Sequence, residues 1–229
     1  FADPRAIWMR DQIVAGGVTS GGDVVLNLYE PQTKASRTHV LAAKFQKDDH
    51  NNPALLALPD GHALTFFSQH TGKDLFMART QRPGDPTSWT KPVPINPNDA
   101  AKVSGEGTSN AYCYPNPQLL REEKNRIYLF WRGMNWKPTI SWSDDLGATW
   151  KKGQILITPE EGNTAVRPYM KVSGDGKSRI HLAFTDGHPR NEPTNSIYYL
   201  GLHKGKLAHA DGTVIGDLKK LPVRPEQAD

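Results

Sequence analysis

The residues best suited to chemistry are two histidines at the ends of one predicted hairpin. His50 comes just before the predicted strand Ala54–Leu58, and His70, twenty residues later, follows the predicted strand Ala63–Ser68. Because a hairpin brings the chain back to its starting end, both imidazoles should lie at the same end of these strands. Imidazole gains and loses a proton near neutral pH, so this pair could act as a general acid and a general base.

The next predicted hairpin carries two further reactive side chains at the equivalent positions. Tyr114 precedes the predicted strand Gln118–Arg121, and Arg132 follows the predicted strand Ile127–Trp131. Together the two hairpins would place two imidazoles, a phenol and a guanidinium around one cleft at the ends of these strands. A guanidinium can bind a carboxylate through two parallel hydrogen bonds, so this set suits an acidic ligand on which protons are moved.

Polar residues near the ends of other predicted strands extend the candidate site. Arg167 and Arg190 could bind a sulfate or a further carboxylate. Asn51 and His188 complete the predicted substrate-binding set.

The same segments contain residues that could hold an ion. Asp48 and Asp49, like Asp186 with His188, could hold a structural cation such as calcium or zinc, or could tie loops together. Cys113 is either a soft metal ligand or a small buried apolar residue. The reaction considered below requires no cofactor, and no catalytic metal is predicted.

Short strands must position these residues, because the sequence has no sustained amphipathic helical pattern. Turn residues such as Pro59-Asp60-Gly61 separate the apolar stretches. The remaining predicted strands are Asp23–Tyr29, Leu75–Thr80, Thr139–Ser143, Tyr169–Val172, Ile180–Thr185 and Ser196–Leu202. The chain is therefore predicted to be all-β.

The strand pattern also repeats along the chain. Similar pairs of segments begin at Asn52, Asn116 and Arg167. Repeats of this kind are typical of β-propellers built from four-stranded antiparallel blades, with unequal insertions between the blades. We interpret residues 1–229 as one propeller domain with about four blades, which cover roughly 10–45, 46–100, 110–160 and 163–212.

Ser143-Asp144-Asp145-Leu146-Gly147-Ala148-Thr149-Trp150 fits the pattern S-x-D-x-G-x-x-W, the Asp box of sialidase-like propellers. In that motif the Ser and Asp side chains cap a tight turn, and the Trp packs between blade strands. A degenerate copy is predicted at Gly84-Asp85-Pro86-Thr87-Ser88-Trp89. These residues are predicted to be structural rather than catalytic.

Composition excludes several classes of protein. The 229 residues include 20 Gly, 18 Pro and one Cys, without a Gly-X-Y period, so collagen and disulfide-rich scaffolds are excluded. No apolar run approaches the length of a membrane span, so no membrane partner is predicted. The net charge of +4 suits a polyanion, but the basic residues are scattered and lack nucleic-acid-binding signatures, so nucleic acid is not predicted as a partner.

Five segments together resemble a known family. They are DDHNNPALLALPDG, YPNPQLL, IYLFWRG, SDDLGATW and RIHLAFTDGHPR. They resemble BNR-repeat proteins related to the ulvan lyases, seven-bladed propeller polysaccharide lyases that cleave a sulfated algal polysaccharide. The similarity runs through most of residues 10–212.

This resemblance implies a function and a set of catalytic residues. In those lyases a pair of histidines, a tyrosine and an arginine act on the uronic acid at the cleavage site. By position and motif these are His50, His70, Tyr114 and Arg132. Tyr114 is preferred over Tyr112 because it directly precedes the Pro-Asn-Pro that begins a strand.

The residue types also suit β-elimination from a uronate. That reaction neutralises the carboxylate, removes the C5 proton and protonates the O4 leaving oxygen. Arg132 offers a donor pair for the carboxylate. Tyr114 can be the base only if positive surroundings lower its pKa, and either histidine could be the base instead. The sequence leaves this choice open.

Two other functions remain as alternatives. A sialidase-like glycoside hydrolase on the same fold would need paired carboxylates, or a tyrosine and glutamate with an arginine triad. Glutamate is sparse at the predicted inner-strand ends, so this alternative ranks second. A non-catalytic propeller that binds acidic glycan is the third possibility, because matching residue types do not establish turnover.

Length and substrate class add three expectations. Four blades in a family that closes a ring of seven predict either a fragment of a longer protein or an unusually small propeller. The chain starts at Phe1 without Met, so an export signal could lie upstream. A polysaccharide substrate predicts a secreted or periplasmic bacterial protein, which we expect to be monomeric.

Overall fold

The structure is a computed structural model that describes residues 6–103, 108–160, 165–188, 190 and 194–229. Within these ranges the regular structure is β-strand, interrupted by three-residue 3-10 turns. This confirms the predicted all-β class. None of the helices in the described part is long and apolar enough to cross a membrane.

The chain divides into two compact units. One comprises residues 1–96 with 112–117, and the other comprises residues 97–111 with 118–229. Four antiparallel sheets are distributed between them, and every pairing joins strands that are consecutive along the chain. Such meanders are the four-stranded antiparallel blades that the sequence predicts.

The first unit contains two four-stranded sheets. Their strands are β1 Ala6–Met9, β2 Gln12–Val18, β3 Val24–Glu30 and β4 Ala35–Ala42, followed by β5 Ala54–Ala57, β6 Ala63–Ser68, β7 Leu75–Arg79 and β8 Val93–Pro94. A core of Val, Leu and Phe side chains fills this unit. Phe45, Phe67 and Phe76 pack with ring centroids 5.3–5.6 Å apart at its centre.

The third and fourth sheets contain nine strands. They are β9 Cys113–Leu120, β10 Arg126–Arg132, β11 Pro138–Ser143 and β12 Gln154–Ile155, then β13 Met170–Gly174, β14 Ile180–Thr185, β15 Ile197–His203, β16 Lys206–Ala208 and β17 Val214–Asp217. In β14 the residues alternate between buried and exposed, so Ile180, Leu182 and Phe184 face the core of the second unit. This is the period of two expected for a sheet with one buried face.

The sheet limits differ from the predicted blade limits. The first sheet begins at Ala6, before residue 10, and the fourth sheet has a fifth strand that ends at Asp217, after residue 212. Both additions are four-residue strands at the edges of their sheets, too short to produce a clear periodicity.

β2 passes very close to the segment that precedes β5. A Cβ on Gly16 would lie 2.3 Å from the carbonyl oxygen of Pro53. Only glycine allows this approach, because any side chain would displace the proline. The close contact holds β2 against the segment that follows the predicted histidine motif.

The S-x-D-x-G-x-x-W stretch forms a compact turn after β11. The Ser143 hydroxyl donates to Asp145 at 2.7 Å and accepts from the amide of Gly147 at 2.8 Å. Asp145 also accepts from the amide and the hydroxyl of Thr149. Although burial opposes its ionisation, these hydrogen bonds outweigh burial and hold the pKa of Asp145 below its usual range.

The degenerate copy of this motif, residues 84–89 after β7, also forms a turn in which an aspartate accepts hydrogen bonds from a following threonine. Asp85 accepts from the amide and hydroxyl of Thr87 at 2.9 and 2.6 Å, and these bonds lower the pKa of Asp85 to about 2. Trp89 is buried, and its indole N–H donates to the carbonyl of Pro86 at 2.8 Å. Both motifs therefore make turns, as predicted.

We expect Asp145→Ala to lower the free energy of unfolding by about 2 kcal/mol, because several amide and hydroxyl donors lose a charged acceptor. Urea denaturation measures this change. Asp144→Ala is the control: the neighbouring Asp144 makes a surface ion pair with Arg126 at 2.6 Å, and its loss should cost at most about 1 kcal/mol. Equal losses in the two variants would contradict the assigned role of Asp145.

Candidate functional site

His50 lies in a 3-10 turn that its own neighbours cap. The turn spans Asp49–Asn51, and Asp48 is its N-cap. The Asp48 carboxylate accepts from the backbone amide of His50 at 2.9 Å. This capping fixes the direction in which the His50 side chain leaves the backbone.

His70 lies just beyond the end of β6, and the turn before β5 holds its backbone. The His70 amide donates to the side-chain oxygens of Gln46 at 2.8 Å and Asn51 at 3.0 Å. Asn51 is fully buried and donates to the carbonyl of Gln46 at 2.9 Å. As a result the rings of His50 and His70 stack, with centroids 3.7 Å apart and planes 8° from parallel.

Tyr114 joins the two histidines because the start of β9 pairs with the turn after β6. Tyr112 and Gly72 form an antiparallel bridge, and the Tyr112 amide donates to the Gly72 carbonyl at 2.9 Å. The Tyr114 ring then lies 4.7 Å from the ring of His50. Tyr112 is 1% exposed, whereas Tyr114 is half-buried, so the geometry favours Tyr114 as the tyrosine available to a ligand.

The backbone of Tyr114 has an uncommon conformation, with φ at 57°. A bulky residue rarely adopts this left-handed region, and such strain is often retained at functional sites. We call Asp48, His50, Asn51, His70 and Tyr114 the histidine cluster.

One carboxylate contacts both histidines of this cluster. Asp48 Oδ1 lies 2.5 Å from His50 Nδ1, and Asp48 Oδ2 lies 3.0 Å from His70 Nδ1. Partial burial disfavours the charged form, but the hydrogen bonds from His50 and His70 prevail and hold the pKa of Asp48 below its ordinary value. Asp48 is therefore an ionised partner of the two imidazoles at neutral pH.

Possible metal ligands come together in two sets, His50 with His70 and Cys113, and Asp48 with Asp49 and His50, and a structural cation here stays a prediction. Ligand atoms of His50, His70 and Cys113 lie within 4.8 Å of one another. Asp48 already uses both oxygens on the two rings.

Arg132 lies at the end of β10 in the second unit, among aromatic rings. Its guanidinium carbon is 5.4 Å from the ring of Trp136 and 5.2 Å from the ring of Tyr169. Arg132 also donates to the Tyr169 hydroxyl at 2.5 Å. Arg167 stacks on the same Trp136, at 4.9 Å.

His188 completes this group through an edge contact with the Tyr169 ring at 4.9 Å. Burial, together with the positive charges of Arg132 and Arg167, lowers the pKa of His188, so this ring is neutral at pH 7. The Arg190 amide donates to His188 Nδ1 at 3.1 Å, which leaves Nε2 as the N–H of the neutral ring. We call Arg132, Trp136, Arg167, Tyr169 and His188 the arginine cluster.

Asp186, for which the sequence allowed a cation or a loop tie, contacts β15. It accepts from the amide of Ser196 at 3.1 Å and from the hydroxyl of Tyr198 at 3.4 Å. These contacts join the segment after β14 to the following strand. A structural cation at Asp186 stays a prediction.

Lys137 directly follows Trp136 of the arginine cluster along the chain, and it is 1% exposed. Its ammonium group donates to the carbonyl of Val166, next to Arg167. Burial and the charge of Arg167 lower the pKa of Lys137 to about 8. Arg132, Arg167 and Lys137 therefore place three basic groups in this region.

Comparison with known proteins gives the family. Residues 16–229 match the BNR repeat-containing family. The chain belongs to that family. This match confirms the family resemblance inferred from the sequence motifs. A search of curated proteins gave no match.

Solved structures similar to this BNR repeat chain include carbohydrate-active enzymes. An ulvan lyase from a new family of polysaccharide lyases has a TM-score of 0.73 and 17% identity over 99% of this chain and 56% of its own. The same enzyme bound to a saccharide of glucuronic acid and sulfated rhamnose has a TM-score of 0.70 and 16% identity, over 99% of this chain and 56% of its own. An α-L-arabinofuranosidase from Lactobacillus brevis has a TM-score of 0.50 and 13% identity, over 89% of this chain and 68% of its own. These likenesses show the fold, and the chain spans about 56% of the ulvan lyase.

The BNR repeat chain distributes the predicted site residues over two clusters. His50, His70 and Asn51 lie together with Tyr114 in the first unit, whereas Arg132, Arg167 and His188 lie together in the second. The Arg190 side chain is exposed, and its backbone amide donates to His188 of the arginine cluster. The catalytic and binding roles of these residues stay predictions.

The sequence did not predict three residues that lie in or next to the arginine cluster. Tyr169 was placed in a strand rather than in the site, Trp136 lies in a turn without an apolar pattern, and Lys137 resembled an ordinary surface lysine. A signal was present for Tyr169, because it lies two residues after Arg167 at the start of one of the three repeated segments.

Proposed function

We propose that this chain carries the catalytic machinery of a polysaccharide lyase that cleaves a uronic-acid-containing, sulfated polysaccharide of the ulvan type by β-elimination. The observation that carries the proposal is the histidine cluster, in which the His50 ring lies 3.7 Å from the His70 ring and 4.7 Å from the Tyr114 ring. These three groups can all transfer protons at accessible pH.

The histidine cluster matches the proton transfers of the reaction. β-Elimination breaks the C5–H bond, moves that electron pair into a C4–C5 double bond and expels the O4 oxygen, which takes up a proton. Tyr114 or either histidine could remove the C5 proton, and a second member of the cluster could protonate O4. Asp48 stabilises positive charge on the imidazoles because it is held ionised beside them.

The arginine cluster supports an acidic substrate. Guanidinium groups bind carboxylates and sulfates through paired hydrogen bonds, and Arg132 and Arg167 are oriented by stacking on Trp136. Neutral His188 offers an Nε2–H donor. We propose that Arg132 neutralises a uronate and that Arg167, with Arg190, binds a further anionic group of the polymer.

A glycoside hydrolase is supported less well by the same residues. Hydrolysis with two carboxylates needs one acid and one base or nucleophile that are free to reach the sugar. In the histidine cluster the carboxylate of Asp48 is engaged by two imidazoles, and the side chain of Asp49 is 87% exposed. Two histidines bound to one carboxylate suit proton transfer instead.

We expect the purified chain to convert ulvan into products with the ultraviolet absorbance of an unsaturated uronate. Elimination creates a C4–C5 double bond conjugated with the carboxylate, so absorbance should rise with time. A neutral polysaccharide without uronate is the control and should give no change.

Two other outcomes would overturn the proposal. Reducing ends that appear without ultraviolet absorbance would identify a hydrolase. Binding of ulvan without any new reducing end would identify a non-catalytic glycan-binding protein.

A large polysaccharide cannot enter the cytoplasm intact. We therefore propose that the protein acts in the periplasm or after secretion from a bacterium, as a monomer on an acidic polysaccharide. Ultracentrifugation of the purified chain and fractionation of producing cells test these two points.

A further inference from the structure

A single carboxylate governs both histidines of the proposed site. Asp48 Oδ1 contacts His50 Nδ1 at 2.5 Å, and Asp48 Oδ2 contacts His70 Nδ1 at 3.0 Å. An ionised carboxylate can only accept hydrogen bonds. Each Nδ1 that faces it must therefore carry a hydrogen atom.

This requirement decides the tautomer of both rings. A neutral imidazole has one N–H nitrogen and one acceptor nitrogen. With the hydrogen held on Nδ1, the acceptor in both His50 and His70 is Nε2. Two parallel rings 3.7 Å apart then present two equivalent proton acceptors side by side.

The backbone around Asp48 keeps this arrangement in place. Asp48 caps the turn that contains His50, with its Oδ1 on the His50 amide at 2.9 Å. The His70 amide is held by the buried Asn51 at 3.0 Å. Asp48 and both rings therefore belong to one hydrogen-bonded unit.

Other titratable groups near the pair do not replace this contact. Asp49 reaches only His50 Nδ1, at 3.1 Å, and its side chain is 87% exposed. Tyr114 lies in β9, and its ring packs against the ring of His50. Cys113 is the residue before Tyr114 in the same strand. Among the residues that the structure describes, Asp48 is the carboxylate that contacts both imidazoles.

We propose that Asp48 is the positioning residue of the site, which holds His50 and His70 in the Nδ1–H tautomer so that both Nε2 atoms face the substrate as proton acceptors. This inference rests on the proposed function for its catalytic consequence. Hydrogen-bond partners that orient metal-bound histidines typically affect activity by about 10–100-fold, and we expect an effect of that size for Asp48.

Asp48→Asn makes a specific test because an amide cannot satisfy both rings in the same way. Its oxygen accepts from one Nδ1–H, while its NH₂ group donates and requires the other Nδ1 to be an acceptor. One histidine must then carry its hydrogen on Nε2. Long-range ¹⁵N–¹H correlation spectra of ¹⁵N-histidine-labelled protein, recorded at pH 8 where histidines are ordinarily neutral, distinguish the two tautomers.

We expect Nδ1–H signals for both His50 and His70 in the wild-type protein, and one switch to Nε2–H in Asp48→Asn. The rate of unsaturated-uronate formation should fall about 10–100-fold in the variant. Asp144→Asn, which changes a surface carboxylate outside both clusters, is the control and should leave both spectrum and rate unchanged.

An Nε2–H signal from either histidine in the wild-type spectrum would overturn the inference, even if the variant failed to fold. The spectra do not depend on turnover. If the tautomers are as expected but ulvan is not cleaved, the proposed function fails while the positioning by Asp48 stands.

Discussion

Tyr114→Phe is expected to lower kcat for ulvan cleavage by about 100- to 10,000-fold, the range over which a positioned acid or base contributes. The change removes only the phenol oxygen. The ring that packs 4.7 Å from His50 remains, so the histidine cluster should keep its structure. The affinity for ulvan should change much less than kcat, because the proposed anion-binding groups lie in the arginine cluster.

Tyr29→Phe is the matched control for this experiment. Tyr29 lies in β3, is 39% exposed and belongs to no cluster described above, so its variant should retain full activity. A Tyr114→Phe variant with wild-type kcat would rule out the phenol as acid or base. If Tyr112→Phe lost activity instead, the choice between the two tyrosines would be wrong.

The second large effect concerns the stability of the protein in alkaline solution. We expect the free energy of unfolding to rise by about 3 kcal/mol between pH 8 and pH 10.5 on account of Lys137, since one pKa unit is worth about 1.4 kcal/mol. Burial and the neighbouring Arg167 lower the pKa of Lys137 to about 8 in the folded protein, while an unfolded chain restores about 10.5.

The free energy of unfolding increases with pH because the folded and unfolded chains bind different numbers of protons. Between these two pH values the unfolded chain keeps a proton on Lys137 that the folded chain has released, so stability increases as the pH rises. Below pH 8 both states carry the charge, and the folded protein bears the full cost of burying it. Above pH 10.5 both states are neutral and the contribution is complete.

Lys137→Met tests this directly, because methionine has a similar shape and no charge. Urea denaturation at several pH values should show the rise in the wild type and lose about 3 kcal/mol of it in the variant. Lys206→Met, at an exposed position in β16, is the control and should keep the wild-type profile. An unchanged rise in Lys137→Met would show that the buried ammonium is not its source.

The strands that the sequence predicted well are those with apolar alternation between clear turns. Ala63–Ser68 and Ile180–Thr185 have the predicted limits in the structure. β9 begins at Cys113 rather than Gln118, because Pro115 and Pro117 suppress the strand pattern in its first half. β4 was missed because most of its residues are exposed, so it has no buried face to produce an alternation.

The sequence by itself determined the all-β class, the repeated sheets, the family and the positions of His50 and His70 at one end of a hairpin. These features depend on local periodicity, turn residues and short motifs, which are properties of neighbouring residues. Only the tertiary structure decided that Asp48 contacts two histidines, that Tyr114 faces His50, and that Lys137 is buried near Arg167. Each of these contacts joins segments that are distant along the chain, and their geometry follows from backbone pairings such as that of Gly72 with Tyr112, which no local pattern encodes.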